Sequence, residues 1–166
     1  MKSFFIPTII TMLMSCSTNN KNEATSIETQ PNEEIISDVT YDAQLAEKAG
    51  ADEYGMKSYV MAFLKRGPNR PTDSIERAAL QKAHMENIGI LAEQGKLILA
   101  GPFLDDGELR GIYLFDTPSV DSARAYTATD PAIQKGSLVM ELMPWYGSAA
   151  LMKVNELHKK MAKTAI

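Results

Sequence analysis

The chain has 166 residues, a formal net charge of −4, two histidines and a single cysteine. Residues 57–166 carry fourteen lysines and arginines against twelve acidic residues, so they lack the dense basic surface of nucleic-acid-binding proteins. One cysteine and two histidines are also too few for the common structural zinc sites, and we expect neither a metal nor a nucleic-acid partner.

The first fifteen residues have the layout of an export signal. Lys2 precedes an apolar stretch at residues 4–14, which is far shorter than the ~20 residues needed to span a hydrocarbon core. Residues 13–16, Leu-Met-Ser-Cys, resemble the lipobox of bacterial lipoproteins, in which the cysteine receives diacylglycerol and becomes the first mature residue. We therefore expect a signal peptide at 1–15 and a lipid on Cys16 that anchors the protein to the cell envelope, as a periplasmic or outer-membrane lipoprotein.

Cys16 has an alternative interpretation as a small apolar residue of an ordinary signal peptide. A lone thiol in an oxidising compartment is a liability, which argues for the lipidated form. Residues 17–38 contain almost no apolar side chains and cannot form a core, so residues 16–38 are predicted to be a lipidated cysteine followed by a disordered stalk. Residues 39–166 are enough for one compact domain and too few for two.

Periodicity within this domain predicts four strands and two main helices. The strands are expected at 57–64, 97–103, 109–115 and 138–143, and the helices at 73–94 and 119–127. Gly95 stands where the first helix would end, and Asp106-Gly107 provides hairpin chemistry between the second and third strands. A short helix is predicted at 41–49, and Ser148 can cap a terminal helix at 149–163.

The order β-α-β-β-α-β predicts an α+β fold of the ferredoxin-like type, with one antiparallel sheet and both helices on a single face. The core of the domain would span residues 57–146. The first strand has apolar residues on both of its sides, with Val60 and Ala62 on one and Met61 and Phe63 on the other. We therefore expect a homodimer in which the second faces of two sheets pack together.

His84 is the more informative histidine. At about 100° per residue it falls within about 60° of Leu80, Ile88 and Leu91, on the apolar side of the long helix. A histidine in this setting is more often a buried structural residue than a catalyst. Asp130 likewise has a purely structural explanation, as the cap of a short helix begun by Pro131. The residues alone therefore leave both a structural and a catalytic role open for His84 and Asp130. His158, near the terminus, is expected to be solvated.

Five short motifs carry a resemblance to a known family. They are Tyr59-Val60, Ala83-His84, Gly95-Lys96-Leu97, Ala100-Gly101-Pro102-Phe103 and Thr129-Asp130-Pro131. Their order and spacing resemble the YCII-related (YciI-like) family of dimeric α/β-barrel proteins. The resemblance implies a proposed histidine–aspartate active-site dyad, which maps onto His84 and Asp130. The chain departs from the smallest members by its stalk, its lead-in at 41–55, its 65–70 loop and its tail after residue 145.

A carboxylate that accepts one imidazole N–H fixes the tautomer and leaves the other nitrogen as a base. Such a pair can support isomerisation or elimination with no metal or cofactor, and the resemblance makes a lyase one candidate because elimination on an aromatic ring is attributed within the superfamily. Arg66 or Arg70, Asn87 and Tyr146 are the candidate substrate-binding residues, and Trp145 is a further candidate for a pocket wall. The alternative for either arginine is a solvated loop cation, and the alternative for Trp145 and Tyr146 is a contact in the core or in the dimer. The alternative function is a non-catalytic small-ligand-binding or interaction module displayed on the membrane.

Overall fold

The computed structural model of the protein describes residues 40–164. The predicted signal peptide, the lipid site at Cys16 and the predicted stalk to residue 38 lie outside the described residues. The elements are α1 (Ala43–Ala49), β1 (Met56–Arg66), α2 (Ser74–Glu93), β2 (Leu97–Pro102), β3 (Leu109–Phe115), α3 (Val120–Thr127), α4 (Pro131–Gln134), β4 (Leu138–Ser148), a 3₁₀ turn (Ala149–Lys153) and α5 (Val154–Met161). None of the helices in this described part combines the length and the apolar character needed to cross a bilayer.

The four strands form one antiparallel sheet in the order β2-β3-β1-β4. The two long strands β1 and β4 pair along their whole length, from Met56 opposite Ser148 to Arg66 opposite Leu138. The predicted α+β fold of the ferredoxin-like type is confirmed.

One face of the sheet carries the main core. Val60, Ala62 and Leu64 alternate along β1 and point to this face, where Leu91 of α2 and Ala123 of α3 pack on them. Because successive side chains of a strand point to opposite faces, this spacing of two places the three residues together. Helices α2 and α3 therefore cover the same face of the sheet.

Strand β4 is longer than predicted. The sequence suggested an end before Pro144, whereas pairing with β1 continues through Pro144 to Ser148. Proline lacks the N–H that an interior strand must donate, but β4 lies at the edge of the sheet, where one side of the strand has no neighbour. Trp145 and Tyr146 consequently lie within the strand and not after it.

The prediction of a single terminal helix at 149–163 was wrong in its first turn. Residues Ala149–Lys153 form a 3₁₀ turn, in which the Ser148 side chain accepts a hydrogen bond from the Ala150 N–H, and α5 follows. A 3₁₀ turn has three residues per turn, so Leu151 and Val154 share a side. The tight turn thereby presents its apolar residues to the sheet.

The second face of the sheet is covered in part by this C-terminal segment. Tyr59, Ile98 and Leu114 form a separate apolar cluster there, against which Leu151 and the residues beside it pack. The Asn155 Nδ2 group of α5 donates a hydrogen bond to the Leu97 carbonyl at 2.8 Å, which ties α5 to the outer strand β2. The C-terminal segment therefore packs on the body of its own chain.

Candidate active site

His84 lies on the buried side of α2. The Asp73 side chain caps this helix by accepting from the N–H groups of Ile75 and Glu76. The buried residues of α2 are Leu80, His84 and Leu91, whose spacing of four and seven places them on one stripe facing the sheet. His84 is only 8% exposed, so its ring nitrogens need partners within the protein.

Asp130 provides one of those partners. Its Oδ1 accepts from the Ala132 N–H at 2.8 Å, as an N-cap of α4, and its Oδ2 lies 2.7 Å from His84 Nδ1. The residue is 1% exposed. Because the cap fixes one oxygen, the other is held toward the imidazole, so one carboxylate is both the cap of α4 and the hydrogen-bond partner of His84.

Tyr113 contacts the opposite nitrogen of the ring. With Nδ1–H donating to Asp130, the Nε2 atom of His84 is an acceptor, and the Tyr113 hydroxyl lies 3.3 Å from it. Burial, and after it the charge of Asp130, raises the pKa of Tyr113 far above its ordinary value of 10.0. The phenol therefore keeps its proton and can act as a hydrogen-bond donor.

A cavity of about 820 Å³ opens beside His84 and Tyr113. Tyr113 lies opposite Ala100 of β2, whose small side chain also lines the cavity. The wall also includes Leu80 and Ile88 of α2. A mostly apolar cavity of this size with a few converging polar groups is typical of a small-molecule site.

The charged residues of the cavity wall are mainly cationic. They comprise Arg70, Arg77, Arg110 and Lys159 against the single carboxylate Glu93.

Within residues 40–164, no three histidine, cysteine, aspartate or glutamate side chains cluster in a way that could hold a metal ion.

Asn87 lies one turn after His84 and outside the cavity wall. Its Nδ2 donates to the Thr129 hydroxyl at 2.8 Å and to the Thr129 carbonyl at 3.2 Å, while its buried Oδ1 has no partner within the described residues. Thr129 immediately precedes Asp130. The contact of Asn87 is therefore with the segment that positions the carboxylate.

Arg66 and Tyr146 are not brought to the cavity either. The Arg66 guanidinium bonds to the Asp106 carboxylate at 2.7 Å, and the Tyr146 hydroxyl donates to Asp52 on the exposed surface. Trp145 packs on Tyr59 instead, with ring centroids 5.8 Å apart. These contacts leave neither Arg66 nor Tyr146 directed at His84 within one protomer.

The structure adds residues to the site that the sequence reasoning missed. Tyr113 has a recognisable signal, because it shares the helix-facing side of β3 with Phe115 at a spacing of two. Arg77 precedes His84 by seven residues, a spacing that returns to the same side of a helix. His158, expected to be solvated, is exposed but lies at the cavity wall.

Comparison with known proteins gives one family match and a similarity to a solved structure. The YCII-related domain family matches residues 61–146. A solved structure of 5-chloro-2-hydroxyhydroquinone dehydrochlorinase from Burkholderia phenoliruptrix AC1100, in complex with 2,5-dihydroxybenzoquinone, is 18% identical with a TM-score of 0.40. That alignment covers 52% of this chain and 92% of the dehydrochlorinase chain. No curated protein shows significant sequence similarity to the chain.

Proposed function

The chain belongs to the YCII-related domain family, and on that premise we propose that its domain is an acid–base enzyme of the lyase or isomerase type. Its substrate is a small polar organic molecule. The observation that carries this proposal is the 2.7 Å contact between His84 Nδ1 and Asp130 Oδ2 beside a cavity of about 820 Å³. A buried pair of this kind next to an open space is the arrangement that general-base catalysis requires.

The base in this mechanism is His84 Nε2. It removes a proton from a carbon of the substrate, and Asp130 stabilises the imidazolium that forms. In an isomerisation the same nitrogen returns the proton to another carbon. In an elimination the electron pair of the broken C–H bond expels a leaving group from the neighbouring carbon. Neither route consumes a redox cofactor.

Tyr113 is the donor that complements this base. As the substrate loses its proton, negative charge develops on an oxygen conjugated with the reacting carbon, and a fixed O–H donor stabilises that charge. Its raised pKa keeps the phenol protonated for this role. For Nε2 to act as the base, the substrate must displace the Tyr113 hydroxyl from its 3.3 Å contact with this nitrogen.

Hydrogen exchange at carbon tests the chemistry without knowledge of the natural substrate. A panel of enolisable ketones, oxo acids and lactones is incubated with the protein in D₂O, and loss of C–H signals is followed by NMR. We expect catalysed exchange with the parent protein and a loss of about a hundredfold or more in His84→Ala, with partial rescue by added imidazole. Ligands that bind but exchange at equal rates in both proteins would instead support the alternative, a non-catalytic binding module.

The domain is further proposed to be held at the cell envelope by a lipid on Cys16. Support comes from the lipobox-like residues 13–16 and from the polar segment that follows them. Expressed in a bacterium fed an alkyne-labelled fatty acid, the parent chain is expected to take up label and to sediment with membranes. Cys16→Ser is expected to do neither, and equal labelling of the two chains would refute the assignment.

A homodimer through the second face of the sheet is proposed as the assembly. Val139, Met143 and Trp145 of β4 point to this face and are exposed, opposite Met61 and its neighbours on β1. The parent protein is expected to sediment as a dimer and Met143→Glu as a monomer. Leu45→Glu on α1 is the matched control, since Leu45 is 46% exposed and Met143 is 44% exposed. A monomeric parent would end the proposal.

A further inference from the structure

Two arginines of the cavity wall have no hydrogen-bond or ion-pair partner among residues 40–164. Arg110 is occupied, because its Nη1 bonds to the Asp106 carboxylate at 3.1 Å and to the carbonyls of Asp105 and Gly107. The side chains of Arg70 and Arg77 make no hydrogen bond or ion pair within residues 40–164, and both are exposed. The cavity therefore has unused cationic donors at its rim.

Asp106 is a carboxylate close to Arg70 but makes no hydrogen bond with it. Asp106 lies near enough to Arg70 for the guanidinium to help lower its pKa, yet the hydrogen bond from Arg66 is the main cause of that lowering. Arg66 and Arg110 both bond to this one carboxylate. Asp106 Oδ1 thus already accepts from two guanidinium groups and receives no hydrogen bond from Arg70, so the N–H groups of Arg70 remain available to an incoming anion.

The loop that carries Arg70 is held in place by backbone contacts. The Gly67 N–H donates to the Ser137 carbonyl at 2.9 Å, and the Asn69 N–H donates to the Gly136 carbonyl at 3.0 Å. A Cβ atom on Gly67 would lie 2.2 Å from the Gly136 oxygen, so only glycine permits this approach. The loop is thereby fixed against the segment that follows α4, and little ordering of its backbone is needed when a ligand binds.

Arg77 fixes the spacing between the anion site and the reacting groups. It lies seven residues before His84 on the same side of α2, which corresponds to about 10 Å along the helix axis. The anion and the reacting carbon are therefore expected to lie on the order of 10 Å apart. That separation matches one substituted ring or a short carbon chain.

The wall between the two ends is apolar, and it includes Leu80, Ile88 and Leu138. A planar guanidinium matches the geometry of a carboxylate, to which it can donate two parallel hydrogen bonds. We propose that the site takes a small organic carboxylate, whose apolar body spans the cavity while Arg70 and Arg77 bind the carboxylate and His84 faces the reacting carbon. This inference rests on the proposed function for its reacting end.

A charged probe and its neutral isostere test the proposal on the full-length protein in detergent. Binding of 4-fluorobenzoate and 4-fluorobenzamide is followed by ¹⁹F NMR titration. The parent protein is expected to prefer the benzoate by about tenfold, and Arg70→Gln combined with Arg77→Gln is expected to remove that preference. Arg124→Gln combined with Lys82→Gln, at two exposed residues outside the cavity, also removes two positive charges and is expected to leave binding unaltered.

Equal affinity for the two probes, unchanged benzoate binding in the double variant, or no saturable benzoate binding would each overturn the carboxylate assignment. The exchange assay separates this outcome from failure of the enzyme proposal. If His84-dependent exchange is found only with uncharged compounds and persists in the double variant, the acid–base function stands and the carboxylate class falls. If benzoate binds as expected but no exchange depends on His84, the arginine site stands and the enzyme proposal falls.

Discussion

Replacement of Asp130 separates its structural role from its chemical one. Both carboxylate oxygens are committed, one to the Ala132 N–H at 2.8 Å and the other to His84 Nδ1 at 2.7 Å. Asp130→Ala removes an N-cap, which costs about 1 kcal/mol. It also leaves a buried donor of His84 without an acceptor, which costs about 1–3 kcal/mol. We expect the free energy of unfolding to fall by about 2–4 kcal/mol.

Asp130→Asn keeps the shape of the side chain but replaces one acceptor oxygen with an NH₂ donor. Asparagine caps helices as well as aspartate does, so its Oδ1 continues to accept from the Ala132 N–H. Its NH₂ group then faces His84 Nδ1, which must become an acceptor and move the imidazole proton to Nε2. The variant is therefore expected to lose no more than about 1 kcal/mol of stability while losing the base.

Urea denaturation measures the stability of the two variants, and long-range ¹H–¹⁵N NMR identifies the tautomer of His84. Asp73→Asn is the matched control, because Asp73 caps α2 through the N–H groups of Ile75 and Glu76 with no histidine partner. A proton retained on Nδ1 in Asp130→Asn, or a cost below about 1 kcal/mol in Asp130→Ala, would contradict the two roles assigned to this carboxylate.

A close backbone contact at Gly67 and two shifted pKa values each have a measurable effect on stability. Gly67→Ala places a Cβ atom 2.2 Å from a backbone oxygen and is expected to cost about 1–3 kcal/mol in denaturation, whereas Gly89→Ala, with open space around it, is expected to stabilise by about 0.5–1 kcal/mol. Burial raises the pKa of Tyr113 above 10.0, so the contribution of this phenol to the free energy of unfolding is complete below pH 10. That contribution falls as the pH rises beyond 10, by about 1.4 kcal/mol per pH unit. Tyr113→Phe is expected to show a correspondingly smaller loss between pH 10 and 11; identical slopes would contradict this. Hydrogen bonds from two neighbouring lysines lower the pKa of Glu156 from 4.5 to about 2, so α5 is expected to loosen as the pH falls through that interval. Amide exchange of α5 measures this, and Glu156→Gln is expected to remove the pH dependence.

Local patterns predicted the elements and their order well. Alternation of apolar residues in β1 and the apolar stripe of α2 are properties of short segments, and both faced the core as expected. The predicted ends of β4 and of the C-terminal helix were wrong because packing against other parts of the fold determines them. Pro144 is tolerated because β4 is an edge strand, and the turn at Ala149–Lys153 tightens where its apolar residues meet the second sheet face.

The motifs around His84 and Asp130 were sufficient to select these two residues as a candidate pair, and the periodicity of α2 was sufficient to direct His84 toward the sheet. Tertiary structure alone decided the contents of the site. It placed the Tyr113 hydroxyl at His84 Nε2 and engaged Arg66 with a carboxylate of a distant hairpin, leaving Arg70 at the cavity. The physical reason is that strand register and helix placement determine which polar side chains meet. These residues are far apart in the chain, so a local sequence pattern does not predict their contacts.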